Sequence, residues 1–157
     1  MKIYILSDTH NAVSFSCLER LLDGADMIIH LGDGYRDASD LEALARCPVY
    51  HVRGNCDMLG KSYALIEVAG HRIFAVHGDA YGVKSDTRRL LAAADELLAD
   101  IVLYGHTHKP DISFIANKLV INPGSLAFPR GKMPTYCVLT VEEDRLYPEL
   151  IEYKGEK

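Results

Sequence analysis

Five short apolar runs in this 157-residue sequence end in residues that bind metal ions or move protons. Lys2–Leu6 is followed by Ser7-Asp8-Thr9-His10, Met27–Leu31 by Gly32-Asp33-Gly34, and Val49–Val52 by Arg53-Gly54-Asn55-Cys56-Asp57. Arg72–Val76 leads into His77-Gly78-Asp79, and Ile101–Tyr104 into Gly105-His106-Thr107-His108. Each is ordinary taken singly. Asp8-Thr9-His10 reads as a polar turn with a helix cap at Asn11, and Gly-Asp-Gly and Gly-Asn are common turns. Independent turns, however, have no reason to supply ligands at five successive strand ends. Ligands of open α/β sheets bind beyond the carboxyl ends of strands, so the pattern places these side chains on one rim. Carboxylates, imidazoles and one amide, with no thiolate frame, suit Mn²⁺, Fe²⁺, Co²⁺, Ni²⁺ or Zn²⁺. Ca²⁺ is a poor match for a site with four histidines.

The elements that position these residues fall into two halves. In the first, apolar strands at Lys2–Leu6, Met27–Leu31 and Val49–Val52 alternate with helices. One helix spans Val13–Leu22. The other is opened by the capping-box spacing Ser39-Asp40-Leu41-Glu42 and stops before Pro48. Strand–helix alternation with continuous apolar strands predicts a parallel sheet covered by helices. The second half is hairpin-rich. Tyr63–Val68 and Arg72–Val76 flank Ala69-Gly70-His71, Ile112–Ala116 and Leu119–Ile121 flank Asn117-Lys118, and Tyr136–Val141 and Leu146–Tyr153 flank Glu142–Arg145. With a helix at Thr87–Leu98, the expectation is an α/β fold of two sheets packed face to face with helices outside.

Composition narrows the function. Hydrophobic residues make up 48% and charged residues 25% of the chain, the profile of one soluble domain over residues 1–157. A formal net charge of −5 argues against long nucleic acid, whose backbone needs clustered Lys and Arg. No apolar run reaches the roughly 20 residues that span a bilayer. The N-terminal stretch reads as a buried strand rather than a signal peptide, so a cytoplasmic location is expected. Cys17, Cys47 and Cys137 lie in apolar surroundings and form no disulfide framework, which fits a reducing compartment.

The ordered series Asp8-Thr9-His10, Gly32-Asp33, Gly54-Asn55, His77-Gly78 and Gly105-His106-Thr107-His108 resembles the signature of the calcineurin-like metallophosphoesterases. The short chain, with Gly54-Asn55-Cys56-Asp57 and Asn122-Pro123-Gly124-Ser125, is most similar to the small bacterial and archaeal YfcE-type phosphodiesterases. The resemblance implies a four-layer α/β/β/α sandwich of two mixed sheets flanked by helices. It also implies a dinuclear site, with Asp8, His10, Asp33 and His108 on one divalent ion and Asp33, Asn55, His77 and His106 on the other. Manganese is the first expectation for the metal. The implied reaction is hydrolysis of a small phosphodiester by a metal-bridging hydroxide, with Asn55, Cys56 and His106 at the reacting centre. Two carboxylates against two divalent ions leave a net charge of about +2, which attracts phosphate even on an acidic protein.

Many members of that family carry histidine where this sequence has Cys56, and that histidine is held to protonate the leaving group. A thiol is a poorer acid for the task, so good leaving groups such as aryl alcohols are expected, while the favoured reading of Cys56 itself is that it only packs. Asp57 and Asp79 are candidates to orient imidazoles, and Asn122-Pro123-Gly124-Ser125 to steer His106 and His108 or form a plain turn. Arg53, Tyr35 and Arg130 read as solvated surface, and His30, His51 and His71 as structural histidines. A retromer subunit shares the family's fold, so a non-catalytic docking module is the rival reading. Action on nucleotides or phosphoproteins is a second. Self-association as a dimer or tetramer is also expected by resemblance.

Overall fold

The computed structural model describes residues 1–154. Among these the chain runs β1 (Lys2–Leu6), α1 (Phe15–Leu21), β2 (Met27–His30), α2 (Tyr35–Leu44), β3 (Val49–His51), β4 (Tyr63–Val68) and β5 (His71–Val76). A 3-10 turn at Asp79–Tyr81 precedes α3 (Arg88–Glu96). Then come β6 (Ile101–Leu103), β7 (Asp111–Ile115), β8 (Lys118–Asn122), β9 (Thr135–Glu142) and β10 (Arg145–Glu152). The strands form two five-stranded mixed sheets, ordered β10-β9-β1-β2-β3 and β4-β5-β6-β8-β7. Strands β1, β2 and β3 are mutually parallel, as are β5, β6 and β8, while the flanking strands pair antiparallel. Among the described residues no helix is long and apolar enough to cross a membrane.

Unbroken apolar strands need cover on both faces, and side-chain alternation divides each strand between two cores. Ile3, Ile5 and Ile29 of the first sheet meet Ile73, Leu103 and Ile121 of the second in the core between the sheets. Leu6 and Ile28 point the other way, against Leu18 of α1 and Leu41 of α2. Phe74 and Val102 pack under Leu90 and Ala94 of α3. The layers are therefore helices, sheet, sheet, helix, as the resemblance implies.

Helices α1 and α3 are shorter than the spans read from the sequence, and two further boundaries depart from it. Helix α2 begins at Tyr35, so the Ser39–Glu42 capping box lies inside it. Its first amides are satisfied from distant loops: Gly34 and Tyr35 N–H donate to Asp57 Oδ1 at 3.0 and 3.1 Å, and Arg36 N–H to Asn11 Oδ1 at 2.9 Å. Local capping rules are blind to such partners. Asn11 accordingly serves α2, and Ser14 caps α1. The β7–β8 turn also sits one residue early, on Ala116-Asn117, both at positive φ, which frees Lys118 for β8.

His30 ties two of the strand ends together. It is fully buried, and Gly32 N–H donates to its Nδ1 at 3.2 Å. That leaves the ring proton on Nε2, which donates to Thr9 Oγ1 at 2.9 Å. The Thr9 hydroxyl in turn serves the carboxyl of buried Asp37, which burial pushes above its ordinary pKa. Burial drives the His30 pKa down from 6.5 to about 4. Protonating Nδ1 would also cancel its acceptor role toward Gly32. The folded pKa lies below the unfolded one, so the unfolded chain binds the extra proton in that window and stability rises with pH. His30 therefore stabilises the fold fully above about pH 6.5, and that contribution, on the order of 3 kcal/mol, is lost as pH falls toward about 4. Metal-free protein unfolded at a series of pH values should show this loss, and His30→Gln should flatten the slope through the window.

Candidate metal centre

The rim at the carboxyl ends of β1, β2, β3, β5 and β6 gathers all seven residues singled out from the sequence. Asp8 Oδ1 lies 3.1 Å from His108 Nε2, 3.9 Å from His77 Nε2 and 4.0 Å from His10 Nε2. Asp33 Oδ2 lies 3.3 Å from His77 Nε2. The same nitrogen is 3.0 Å from Asn55 Oδ1 and 3.2 Å from His106 Nδ1, and the Nε2 atoms of His10 and His108 are 3.3 Å apart. Potential ligand atoms fall into two groups, each within 4.8 Å: Asp8, His10 and His108, and Asp33, His77 and His106. A third group of His10, Asp33 and Cys56 spans them, so Asp33 reaches toward both.

Donor chemistry fits a cation. Carbonyls only accept hydrogen bonds, and Leu31 O lies 2.8 Å from His77 Nδ1 while Phe128 O lies 2.7 Å from His108 Nδ1. Both Nδ1 atoms must carry the proton, so in the neutral rings both Nε2 lone pairs point inward. They converge on Asp8 Oδ1, a buried oxygen with no hydrogen-bond partner. Lone pairs aimed at a buried acceptor repel unless positive charge lies between them. In the metal-free chain, the surrounding carboxylates favour positive charge on the His77 ring. Burial pulls its pKa down, but Asp33 and Asp8 outweigh burial and raise it. Burial likewise pushes the Asp33 carboxyl up, yet the His77 side chain and the Cys56 backbone amide hold it well below the usual carboxylate range. Burial, His77 and Lys84 together lower His106.

Convergence requires unusual backbone. Asp8, His10, Asp33, His106 and His108 all have φ between 49° and 68°, the left-handed region that L-residues enter at a cost of roughly 1–2 kcal/mol each. Hydrogen bonds over-determine these turns. Asp8 N–H donates to Gly32 O at 3.0 Å and His10 N–H to Asp33 O at 2.7 Å. Asp8 Oδ2 accepts from Ser7 Oγ at 2.6 Å and from His106 N–H at 2.9 Å, and Ser125 Oγ donates to Asp8 O at 2.7 Å. Asn122 Nδ2 donates to Gly105 O and to Thr107 Oγ1. The Asn122–Ser125 loop is thus a brace for Asp8 and the His106–His108 turn. Gly54 and Gly105 are fixed by close approach. A Cβ on Gly54 would lie 2.0 Å from Asp33 Oδ1, and one on Gly105 would lie 2.0 Å from Ser7 Oγ.

Several expectations need correction. Asp57 and Asp79 do not orient imidazoles; the carbonyls of Leu31 and Phe128 do, a role that sequence cannot mark because every residue has a carbonyl. Asp57 instead accepts from the amides of Asp33, Gly34, Tyr35 and Gly54 at 2.7–3.1 Å, clamping two loops to the start of α2. Asp79 touches His106 only through its charge. Cys56 is exposed rather than packed, with its amide on Asp33 Oδ1 at 2.7 Å and Asn55 Nδ2 3.5 Å from its sulfur. Burial and the nearby Asp33 raise its pKa, which keeps the thiol neutral. The outer histidines are structural as read: besides His30, His51 lies 3.6 Å from Glu42 and His71 2.5 Å from Asp100. Tyr35 stands edge-on to His51, and Arg53 and Arg130 are exposed.

The Asp57 clamp generates a test. Asp57→Asn keeps the shape but turns an amide toward backbone donors. It should destabilise the fold by about 2 kcal/mol and weaken metal binding roughly tenfold to a hundredfold, read by denaturation and metal titration.

Comparison with known proteins agrees with this geometry. Residues 1–144 match the calcineurin-like phosphoesterase superfamily domain. The probable metallophosphoesterase YsnB of Bacillus subtilis is 34% identical over 151 residues, covering 92% of this chain and 86% of that protein. Phosphodiesterase YfcE of Escherichia coli K12 is 29% identical over 163 residues, covering 85% and 84%. Entamoeba histolytica Vps29 complexed with Zn²⁺ superposes with a TM-score of 0.78 at 23% identity over 97% of this chain and 99% of that one, a likeness of fold. With its match over most of the chain, this protein belongs to the calcineurin-like phosphoesterase superfamily.

Proposed function

We propose that this chain is a dinuclear metal-dependent phosphodiesterase. The observation that carries the reading is the position of Asp33, within ligand distance of His10 on one side and of His77 and His106 on the other. Asp8, His10, Asp33 and His108 would hold one divalent ion, and Asp33, Asn55, His77 and His106 the other. Manganese is the proposed metal, with nickel, cobalt, iron and zinc compatible with the same donors. When bound, such a pair supplies Lewis acidity that activates water and offsets charge on phosphorus.

The chain's own groups do the rest. The Leu31 and Phe128 carbonyls hold His77 and His108 with lone pairs inward. Asp57 and the Asn122–Ser125 loop fix the turns, so ligand geometry needs no rearrangement when substrate arrives. Asn55, Cys56 and His106 border the rim on its open side, which makes them the groups that meet the ester. The Cys56 thiol stays protonated, but its raised pKa makes it a reluctant acid. Leaving groups that depart without assistance are therefore favoured, which points to a small aryl or similarly activated diester in the cytoplasm. Docking without catalysis is the rival function, favoured by the fold shared with Vps29.

Manganese-loaded protein should hydrolyse bis(4-nitrophenyl) phosphate, and Asp33→Ala and His77→Ala should each lower the rate by more than about a hundredfold. Loaded wild-type protein with no activity on any diester would favour the docking reading. Cys56→His should raise the rate on alkyl relative to aryl diesters by roughly tenfold, because an imidazolium protonates poor leaving groups. An unchanged ratio would remove Cys56 from the mechanism.

A further inference from the structure

A second cleft backs onto the same histidine turn. It encloses about 450 Å³, and its walls carry Lys84, Lys109 and Arg130, with Tyr104, Thr107 and Asp111 completing the polar lining. Thr107 lies between His106 and His108, so one turn forms a wall of both the metal centre and this cleft. Among the described residues none of the three cations is paired with a carboxylate, whereas Arg72, Arg88 and Lys118 all are. Asp111, the one acid in the cleft, has Ser113 Oγ on its Oδ2 at 2.6 Å. Three cations without a carboxylate partner thus gather around one cavity on a chain of net charge −5. A larger cleft of about 780 Å³ along the edge strands β3 and β4 has one lysine, Lys61, opposed by Glu42.

The cationic positions are built in. Thr107 Oγ1 accepts Lys109 N–H at 3.2 Å and is itself held by Asn122, which is fully buried. Arg130 N–H donates to His108 O at 3.0 Å. Two of the three cations therefore rise from backbone fixed to the histidine turn. The third, Lys84, follows buried Val83 and lies near enough to His106 to act on its ring. Fixed backbone limits the entropy lost when these side chains close on a ligand.

We propose that this cleft binds a second phosphate group of the substrate, so that the chain acts on diesters carrying a terminal phosphate beside the scissile linkage. This rests on the phosphodiesterase reading. Bare aryl diesters would then be cleaved as minimal substrates that leave the cleft unused.

Two measurements test it separately. In the first, manganese-loaded protein is given the 4-nitrophenyl ester of thymidine 5′-monophosphate with and without a 3′-phosphate. The 3′-phosphorylated form should show a kcat/KM about tenfold higher, and the ratio should fall to near one in Lys84→Ala/Lys109→Ala/Arg130→Ala. A ratio near one in the wild type, or one that survives the triple substitution, overturns the proposal. In the second, inorganic pyrophosphate is titrated into chelator-stripped protein, whose rim of Asp8 and Asp33 repels anions. Binding that weakens with salt and drops about tenfold or more in the triple variant is expected. No binding, or equal binding by a variant with an unchanged unfolding temperature, overturns the cleft. Should neither aryl ester be cleaved while pyrophosphate binding behaves as expected, the cleft stands as an anion site and the phosphodiesterase reading falls.

Discussion

Asp8 and Asp33 stand just beyond neighbouring parallel strands, both buried, and among the described residues neither pairs with a lysine or arginine. Two acids so placed cost several kcal/mol in desolvation unless positive charge or hydrogen-bond donors meet them. Asp33 is met by the His77 ring and the Cys56 amide. Asp8 is met by Ser7 and the His106 amide on one oxygen and by three ring nitrogens, without a hydrogen bond, on the other. The surrounding turns are shaped by the need to bring those groups in, and the remaining deficit of positive charge is what a pair of divalent ions would fill.

Meeting that need forces the chain into conformations that its residues disfavour. Five rim residues sit in the left-handed region, and they are spread over three turns. The turns are tied to one another: Asp8 to Gly32 and Ser125, His10 to Asp33, and His106 to Asp8. The two sheets make such ties possible. The β1 and β2 ends come from one sheet and the β5 and β6 ends from the other, and the core of Ile5, Ile29, Ala75 and Leu103 holds the two rims in register. A substitution in that core is therefore expected to loosen metal geometry as well as the fold, because the ligands have no common element.

Much of this was legible in the sequence. Continuous apolar runs and turn residues marked the strands, and residue types at their ends marked the rim, because a ligand must be Asp, His or Asn and so leaves a trace in composition. What stayed hidden were interactions that composition does not record. The start of α2 is set by Asp57 and Asn11, distant in sequence, so a local capping box at Ser39 was a false guide. The imidazoles are oriented by carbonyls, which every residue possesses. Cys56 lies in an exposed loop whose contacts depend on Asp33, and its neighbours in sequence do not reveal that.

Backbone strain at the rim distinguishes a cation site from a set of plain turns. Left-handed backbone at histidine is disfavoured, and such strain persists where surrounding structure imposes it. His10, His106 and His108 are not at hairpin tips, where such angles serve only to reverse the chain. Their angles bring ring nitrogens to within 4.0 Å of Asp8 or 3.2 Å of His77. A surface that merely presents side chains to a partner needs no inward convergence, and relaxed turns would present those residues equally well. The strain here is directed at the interior of the rim, against like charges and lone pairs. It is intelligible as preorganisation for cations.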